Sequence, residues 1–255
     1  TSSSHSSSTW SNSNSVQVSS SATDTHAGMD AVYFLLSSQS SGVSDSTILS
    51  GNNKYTCSGG SSCSASYTLT APSGSSGTYY AYALARDDAE TMSGNPDPNY
   101  ANSIRSGALL IDMVSPSMTT TPSVQNLVNG YHGNGAVSIN LGTASDQSPG
   151  SGVASFRYYV KDVSSSTTPA YQTISATSQT ATWTTSLTHG TTYVACVQPV
   201  DGAGNVGNTQ CSSSFTADLS TPILDTAVLD GQGNNLTNSQ TYWFANTQSV
   251  DFTWA

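Results

Sequence analysis

One alternating apolar pattern recurs along this chain, and it constrains the fold more than any other feature. It occurs at residues 15–18, 136–139 and 249–252, where the apolar residues lie two positions apart. A period of two places those side chains on one face of a strand, so that one face is buried and the other stays in water. Recurrence of such strands at a long interval predicts a tandem array of similar β units.

Other segments repeat in the same order between the first two copies. A second strand at 28–36 matches 152–160 without a gap, and both repeats end in the pattern Asp-x-x-Ser/Thr-Pro, at 112–116 and at 218–222. Proline at such a place ends ladder pairing and stiffens a linker, which is typical of a junction between domains. The sequence therefore predicts one repeat at 1–114, a second at 115–219 and the start of a third at 220–255.

The two ends of the chain look incomplete by comparison with the middle repeat. The first repeat has no counterpart of the strand expected at 123–127, and its polar stretch at 1–9 reads as a frayed edge or a tail. Only an opening strand region and the strand around Val250 represent the third repeat, and two strands of a sandwich are not stable alone. We expect residues 220–255 to be ordered only when a neighbouring repeat completes them.

The fold class follows from the spacing of apolar and turn residues. Apolar spacing of three and four, which a helix requires, is absent over any useful length, so no helix is predicted. Gly, Pro, Asn and Ser interrupt the pattern every ten residues or so, which favours short strands in a sandwich. Aromatic residues make up 9% of the 255 residues, which argues for a packed core in spite of the abundant serine.

The late part of the second repeat resembles a known family. Leu187 and Gly190 precede Tyr193, and the run Asp201-Gly-Ala-Gly-Asn205 follows; this arrangement is similar to the tyrosine corner and the last turn of fibronectin type III-like and bacterial immunoglobulin-like domains. The resemblance implies an all-β chain of tandem immunoglobulin-like or fibronectin-III-like β-sandwich domains. It also implies a setting in large surface proteins, adhesins, filament proteins or linkers of secreted carbohydrate-active enzymes. The first repeat matches the family less well.

Charge excludes two classes of partner. The formal net charge is −10, from 15 acidic and 5 basic residues, so there is no Lys/Arg patch to neutralise phosphates. Neither nucleic acid nor an anionic membrane surface is expected to bind. No apolar run approaches the length of a membrane span, so this segment is not expected to insert in a membrane.

Four cysteines form two local pairs in the sequence, Cys57 with Cys63 and Cys196 with Cys211. Four cysteines allow three pairings, and nearness along the chain favours these two, one in each repeat; free buried thiols are the alternative. Paired cysteines would place the chain outside a reducing cytosol, in an extracellular or cell-surface location.

Calcium is the candidate cofactor, because the acidic surplus is almost entirely Asp and several Asp residues recur at equivalent places. Calcium takes carboxylates and carbonyls held on loops, whereas the alternative is that these residues only cap turns. Asp24 and Asp146 recur after the first alternating strand. The densest acidic stretch, 87–97, is the best single candidate. The predicted ligands are Asp87, Asp88, Glu90, Asp97, Asp112, Asp201 and Asp218.

The sequence predicts a structural or adhesive role and no catalysis. The four histidines stand in turn-like contexts without a nucleophile pattern, and two acids flanking a cleft are not apparent. The expected partners are neighbouring repeats of the same or an identical chain, and a surface glycan or host ligand. Two alternatives stay open. One is a carbohydrate-binding or accessory module of a secreted hydrolase, and the other is a fibre subunit that exchanges strands between incomplete end repeats.

Overall fold

The computed structural model describes residues 2–89, 100–133 and 135–221, and strands dominate these ranges. The first group of elements is called here the first sandwich. It consists of β1 (Ser15–Thr23), β2 (Met29–Ser37), α1 (Asp45–Ser50), β3 (Asn53–Thr56), β4 (Ser62–Thr70), β5 (Ser76–Asp87), β6 (Ile104–Arg105) and β7 (Leu109–Asp112).

The remaining elements form the second sandwich. They are β8 (Ser117–Met118), β9 (Ser123–Val124), β10 (Tyr131–His132), β11 (Val137–Asn140), β12 (Ala144–Ser145), β13 (Val153–Asp162), β14 (Gln172–Ser175), β15 (Thr180–Trp183), β16 (Thr192–Asp201), β17 (Gln210–Cys211) and β18 (Phe215–Ala217). The expected third repeat lies almost wholly outside the described residues, and the limits 114/115 and 219/220 stay predictions.

Each sandwich has a small and a large sheet. In the first, β1 pairs with β4, and the other sheet has the order β3-β2-β5 with β6 and β7 both on β5. In the second, β15-β11-β9 faces a sheet of order β14-β13-β16-β18-β10, and β17 also pairs with β16. This order confirms the predicted class, an all-β chain of immunoglobulin-like or fibronectin-III-like sandwiches.

The two sandwiches have separate cores built from the alternating residues of their strands. Val16, Val18 and Phe34 belong to the first core, whereas Ile139 and Trp183 belong to the second, and all five are nearly inaccessible to water. Burying an aliphatic or aromatic side chain of this size contributes roughly 1.5–3 kcal/mol relative to leaving it exposed. The strand pattern read from the sequence therefore corresponds to the faces that are actually buried.

The predicted tyrosine corner is present in the second sandwich. The hydroxyl of Tyr193 accepts a hydrogen bond from the backbone N–H of Thr188 at 2.9 Å. The Tyr193 ring is buried and stacks on Phe215 with 5.9 Å between ring centroids. The ring thus contributes apolar packing while its polar end is satisfied by the chain upstream.

A serine interrupts the last strand of both sandwiches at the same place. The hydroxyl of Ser106 accepts the N–H of Ala81 at 2.9 Å, and that of Ser212 accepts the N–H of Ala195 at 3.1 Å. Each hydroxyl also donates to the carbonyl oxygen of the following residue, which is Gly107 for Ser106 and Ser213 for Ser212. Each serine replaces a ladder hydrogen bond, so the two sandwiches share their irregularities as well as their strands.

The absence of helix predicted from the sequence is wrong in one place. The helix α1 begins after Ser44, whose hydroxyl accepts the N–H of Thr47 at 3.3 Å and so caps the first turn. Its Ile48 is fully buried on the outer face of the large sheet, beside Tyr33 and Leu84. A six-residue helix that buries one main side chain is too short to leave a 3.6-residue period in the sequence.

The polar N-terminal stretch occupies part of the place of an opening strand. Ser2 forms an antiparallel bridge with Val18, and Ser11 forms a parallel bridge with Ile111. Val124 and His132 make the corresponding contacts in the second sandwich, with Ile139 and Ala217. The opening strand expected to be missing from the first repeat is thus represented by short bridges, and the stretch is not simply a tail.

Both expected disulfides are formed, Cys57–Cys63 and Cys196–Cys211, and none of the four cysteines is free. Each bond closes a short segment within one sandwich, of 6 and 15 residues respectively. Two disulfides place the protein in an oxidising environment. The described part of the chain has no helix that is both long and apolar enough to span a membrane.

Candidate cation site at the joint between the sandwiches

Three carboxylates meet where the first sandwich ends and the second begins. Asp112 ends β7, Asp146 follows β12, and Asp201 ends β16; one carboxylate oxygen of each lies within 4.8 Å of those of both others. Asp112 is fully buried, Asp201 is 3% exposed, and Asp146 is half-buried. The cluster, called here the joint triad, thus has one member from the first sandwich and two from the second.

Hydrogen bonds from both sides hold Asp112 in the joint. Its Oδ1 accepts the N–H of Val114 at 3.1 Å, and its Oδ2 accepts the N–H of Ser151 at 2.7 Å. Its carbonyl oxygen accepts the side-chain amide of Asn205 at 2.9 Å. A buried carboxylate with several charge-assisted N–H donors is fixed in position, so the end of β7 is attached to two loops of the second sandwich.

The other two members are fixed by their own turns. Asp201 Oδ1 accepts the N–H groups of Ala203 and Asn205 at 2.9 and 2.8 Å, and the Asn205 amide reaches Oδ2 at 2.7 Å. Gly204 in this turn has φ of +92°, a region that residues with a Cβ avoid. Asp146 accepts the N–H groups of Gln147 and Gly152, each at 2.9 Å.

One position in the loop beside the triad, Gly150, has no room for a side chain. A Cβ on Gly150 would lie 2.3 Å from the carbonyl oxygen of Gln147, and 3.2–3.3 Å from one Oδ2 each of Asp146 and Asp112. Next to it, the Ser76 hydroxyl donates to the carbonyl oxygen of Pro149, which links the start of β5 to the same loop. The loop around 147–152 therefore packs against the first sandwich through its backbone.

Electrostatics differ among the members. Burial raises the pKa of Asp146, and the charges of Asp112 and Asp201 raise it further, against the backbone hydrogen bonds that lower it; the net direction is upward. Burial also acts to raise the pKa of Asp112, but hydrogen bonds from Ser151, Val114 and Ser76 outweigh it and the net direction is downward. Repulsion among the like charges of this cluster therefore acts on the pKa of Asp146.

None of the five Lys and Arg residues forms an ion pair with the triad. All five lie in the described ranges, and with other described residues they form the ion pairs of Lys54 and Arg86 with Asp30, in the first sandwich. Two unit charges about 5 Å apart repel by about 3 kcal/mol at an effective dielectric constant near 20. In the described part of the joint, neutral donors offset the negative charge: backbone N–H groups, the Asn205 amide and the hydroxyl groups of Ser76 and Ser151.

The donors in the triad are those that calcium prefers. They are carboxylate oxygens on loops and strand ends, without the sulfur or imidazole ligands that select zinc. The residues present therefore fit calcium, with Asp112, Asp146 and Asp201 as the protein ligands. The hydrogen bonds described above fit equally the alternative named from the sequence, that these residues cap turns.

The structure brings together only some of the predicted ligands. Asp112 and Asp201 meet, but Asp87 and Asp88 lie at the far end of β5, away from Ser76 and the joint. Asp218 is half exposed and lies 3.5 Å from His189 at the other end of the second sandwich. Glu90 and Asp97 lie outside the described residues, so the proposal that 87–97 is the densest site stays a prediction.

Asp146 was absent from the predicted ligand set, although its recurrence with Asp24 was visible in the sequence. Its position in the fold is the informative signal. Asp146 directly follows β12, which pairs with β8 at the start of the second sandwich, and Asp201 ends β16, which pairs with β13. Sequence spacing does not show that a loop 55 residues away from Asp201 and the end of the preceding sandwich converge on one point.

A carbohydrate-binding surface would need exposed aromatic side chains in a row on one sheet face. The most exposed tyrosines of the described residues are Tyr55, Tyr100, Tyr131 and Tyr171, which belong to different elements of both sandwiches. Tyr171 lies under the guanidinium of Arg157 at 4.6 Å. Trp183 is buried in the core, and Trp243 and Trp254 fall outside the described ranges.

Comparison with known proteins gives structural matches only. No protein-family model matches the chain, and no curated protein matches its sequence. A structure of fibronectin(III)-like modules of Clostridium thermocellum CbhA matches with a TM-score of 0.40 and 13% identity, over 89% of this chain and 98% of that one. The FN1–FN3 domains of chicken CNTN1 match with a TM-score of 0.41 and 10% identity, over 82% of this chain and 65% of that one. The fold class rests on the strand order above, and nothing about activity or partners follows from these two proteins.

Proposed function

We propose that this chain is a non-enzymatic structural or adhesive segment of an extracellular surface protein or filament, in which the sandwiches act as stiff spacer units. The observation that carries the proposal is the joint triad, because a flexible linker would not bury a carboxylate of one domain among loops of the next. The fold and the two disulfides support the setting, since both serve durability outside the cell.

The stiffness of the joint comes from hydrogen bonds and close packing between the two sandwiches. Asp112 is tied to Ser151 through its carboxylate and to Asn205 through its carbonyl group. Gly207 also packs against the linker, since a Cβ there would lie 2.1 Å from the carbonyl oxygen of Pro116. Bending the joint would break buried hydrogen bonds, and each buried polar group left without a partner costs about 1–3 kcal/mol.

Calcium would strengthen this joint through the same three side chains. A divalent cation between Asp112, Asp146 and Asp201 would replace mutual repulsion by attraction, and it would bind ligands from both sandwiches at once. Its binding energy would then be available only when the two sandwiches are docked, which makes the cation a joint-stiffening ligand.

Thermal unfolding of the whole chain tests the calcium part, in excess calcium and in excess chelator under non-reducing conditions. A cation present at 100 times its dissociation constant stabilises the native state by about 2.7 kcal/mol. For a domain of this size that corresponds to an increase in Tm on the order of 10 °C. The increase is expected in the wild type and is expected to vanish in Asp112→Asn and Asp201→Asn.

The matched control is Asp45→Asn, which removes the same charge from helix α1 in the first sandwich, outside the triad. It should keep the full calcium response. An unchanged Tm in the wild type would contradict calcium and leave the triad as a set of turn caps. An increase that Asp112→Asn retains would place the cation elsewhere.

The spacer role itself has a separate measurement. Small-angle X-ray scattering of the wild type should give a single extended arrangement of the two sandwiches, with a narrow distribution of distances. Asn205→Ala removes the amide that bridges Asp112 and Asp201 and should broaden that distribution. A wild-type distribution as broad as that of the variant would contradict a stiff spacer, whatever the calcium result.

A further inference from the structure

The chain that enters the second sandwich forms a short edge strand beside the triad. After Pro116, Ser117 and Met118 pair with Ser145 and Ala144. Thr119 and Thr120 then donate their N–H groups to the carbonyl oxygen of Thr143, and Met118 packs against the core. An Asp-x-x-Ser-Pro junction is therefore followed at once by a strand that runs along the edge leading to Asp146.

The first sandwich has the same edge. Its β1 leads to Asp24 as β12 leads to Asp146, and Met29 pairs with Asp87 as Val153 pairs with Asp201. Along its whole length β1 pairs with β4 at one edge. At the other edge, among the described residues, Ser2 forms a bridge with Val18 and Ser3 donates its N–H to the carbonyl oxygen of Gln17. Among the described residues, no strand lies beside Ser20–Thr23, where the equivalent of β8 would be.

A groove follows this part of β1. An open cavity of about 400 Å³ is lined by residues 20–24, Met29, Ala85, Asp87 and residues near Tyr100. A second cavity, of about 580 Å³, shares Ser20, Ser21 and Ile104 with it. Ile104 is 59% exposed. The groove, called here the β1 groove, thus combines a strand edge that can pair with another chain, apolar side chains and two carboxylates.

The far end of the second sandwich carries the matching segment. Asp218 donates its N–H to the carbonyl oxygen of His132, as Asp112 donates to that of Ser11. Its carboxylate accepts the N–H two residues on, from Ser220, as Asp112 accepts that of Val114. The sequence that follows repeats the junction, with Pro222 in the place of Pro116 and the apolar Leu224 in the place of Met118.

We propose that the β1 groove accepts the 218–226 segment of a second copy of this chain, which adds as an antiparallel strand beside residues 20–23. Main-chain hydrogen bonds to β1 would supply the affinity, and Leu224 would contact the apolar wall that includes Ile104. Asp218 would come near Asp24 and Asp87, as Asp112 does with Asp146 and Asp201. Because the donor and acceptor surfaces differ, the contact is heterologous and continues into a linear chain.

Sedimentation velocity of the whole chain over a wide concentration range tests this proposal, in calcium and again in chelator. Wild type is expected to form concentration-dependent oligomers in at least one of the two solutions. Ile104→Asp in the groove and Leu224→Asp in the donor segment should each weaken association about tenfold or more. The control is Val128→Asp, a similar change at a side chain 71% exposed on the second sandwich, which should associate like the wild type.

Mixing the two variants separates this geometry from other modes of association. A copy with Ile104→Asp keeps its donor end, and one with Leu224→Asp keeps its groove, so the mixture should form dimers and nothing longer. A wild type that stays monomeric in both solutions would overturn the proposal, as would oligomers that persist in both variants. These results do not depend on the calcium response of Tm, so failure of the joint proposal and failure of this one are distinguishable.

Discussion

The first and second sandwiches carry similar carboxylates at equivalent ends of their strands, but the surroundings of these carboxylates differ. At the joint, Asp146 and Asp201 have Asp112 beside them, and the entering chain covers the strand edge. At the corresponding end of the first sandwich, Asp24 and Asp87 form no three-carboxylate cluster with any other described residue. The edge of β1 there borders an open groove. The same local sequence thus makes a closed joint in one place and an open surface in the other.

The difference shows that the carboxylates by themselves do not build the joint. Asp24 caps its own turn by accepting the N–H groups of His26 and Ala27 at 3.0 and 3.1 Å, much as Asp146 does in its turn. What the joint adds is a chain segment from the neighbouring sandwich, which supplies a buried carboxylate and a paired strand. Docking of a neighbouring sandwich is therefore the step that converts turn-capping carboxylates into a candidate cation site.

The largest expected effect is that of Asp112→Ala. The change removes a fully buried acceptor from the part-buried N–H groups of Ser151 and Val114, and it should lower the free energy of unfolding by about 2–4 kcal/mol. Asp218→Ala, the equivalent change at the half-exposed end, should cost much less because water replaces the lost contacts. Urea denaturation of both variants measures the two values, and equal losses would contradict a special role of the joint.

A smaller loss is expected for Gly150→Ala. The added methyl group would overlap the carbonyl oxygen of Gln147 and press on the carboxylates of Asp146 and Asp112. Overpacking of this kind typically costs about 1–3 kcal/mol. Gly107→Ala is the matched control, since a Cβ there would meet nothing within 4 Å, and the free energy of unfolding from urea denaturation should be unchanged or slightly higher. A loss in the control equal to that of Gly150→Ala would show that close approach in the joint is not the cause.

The smallest effect is a pH dependence that has opposite signs at two positions of the joint. The pKa of Asp112 is lowered, because hydrogen bonds to its carboxylate outweigh burial. Its contribution to stability is therefore present above the ordinary carboxyl pKa of about 3.9 and is lost as the pH falls through the folded value. The stability difference between wild type and Asp112→Asn should shrink as the pH is lowered from 7 towards 3.

Asp146 acts in the other direction. Its pKa is raised by burial and by its acidic neighbours, so its contribution falls as the pH rises from about 4 through its folded value. In chelator, the free energy of unfolding of Asp146→Asn, measured by urea denaturation, should therefore rise relative to that of the wild type between pH 4 and neutral pH. A difference that grows in the opposite direction would contradict the like-charge repulsion inferred for the triad.

Much of this architecture could be predicted from the sequence because it depends on local patterns. Alternation around Val16 and Val137 predicted buried strands, and Tyr193 predicted a corner, since burial of one strand face and satisfaction of a phenol hydroxyl are short-range requirements. Helix α1 could not be predicted, because its stability comes from Ile48 packing on a sheet that residues far along the chain complete. Asp146 was seen to recur, but its neighbours in space could not be read from its neighbours in sequence.

By itself the sequence predicted which faces of the strands are buried and favoured the cysteine pairs that are formed, because periodicity and short loop closure act over a few residues. Only the tertiary structure decided that Asp112, Asp146 and Asp201 converge, and that, among the described residues, the β1 edge of the first sandwich is open beside 20–23 where the equivalent edge of the second is covered. Those features depend on contacts between segments tens of residues apart, whose geometry is fixed by how two complete sheets pack and by which chain lies beside each edge.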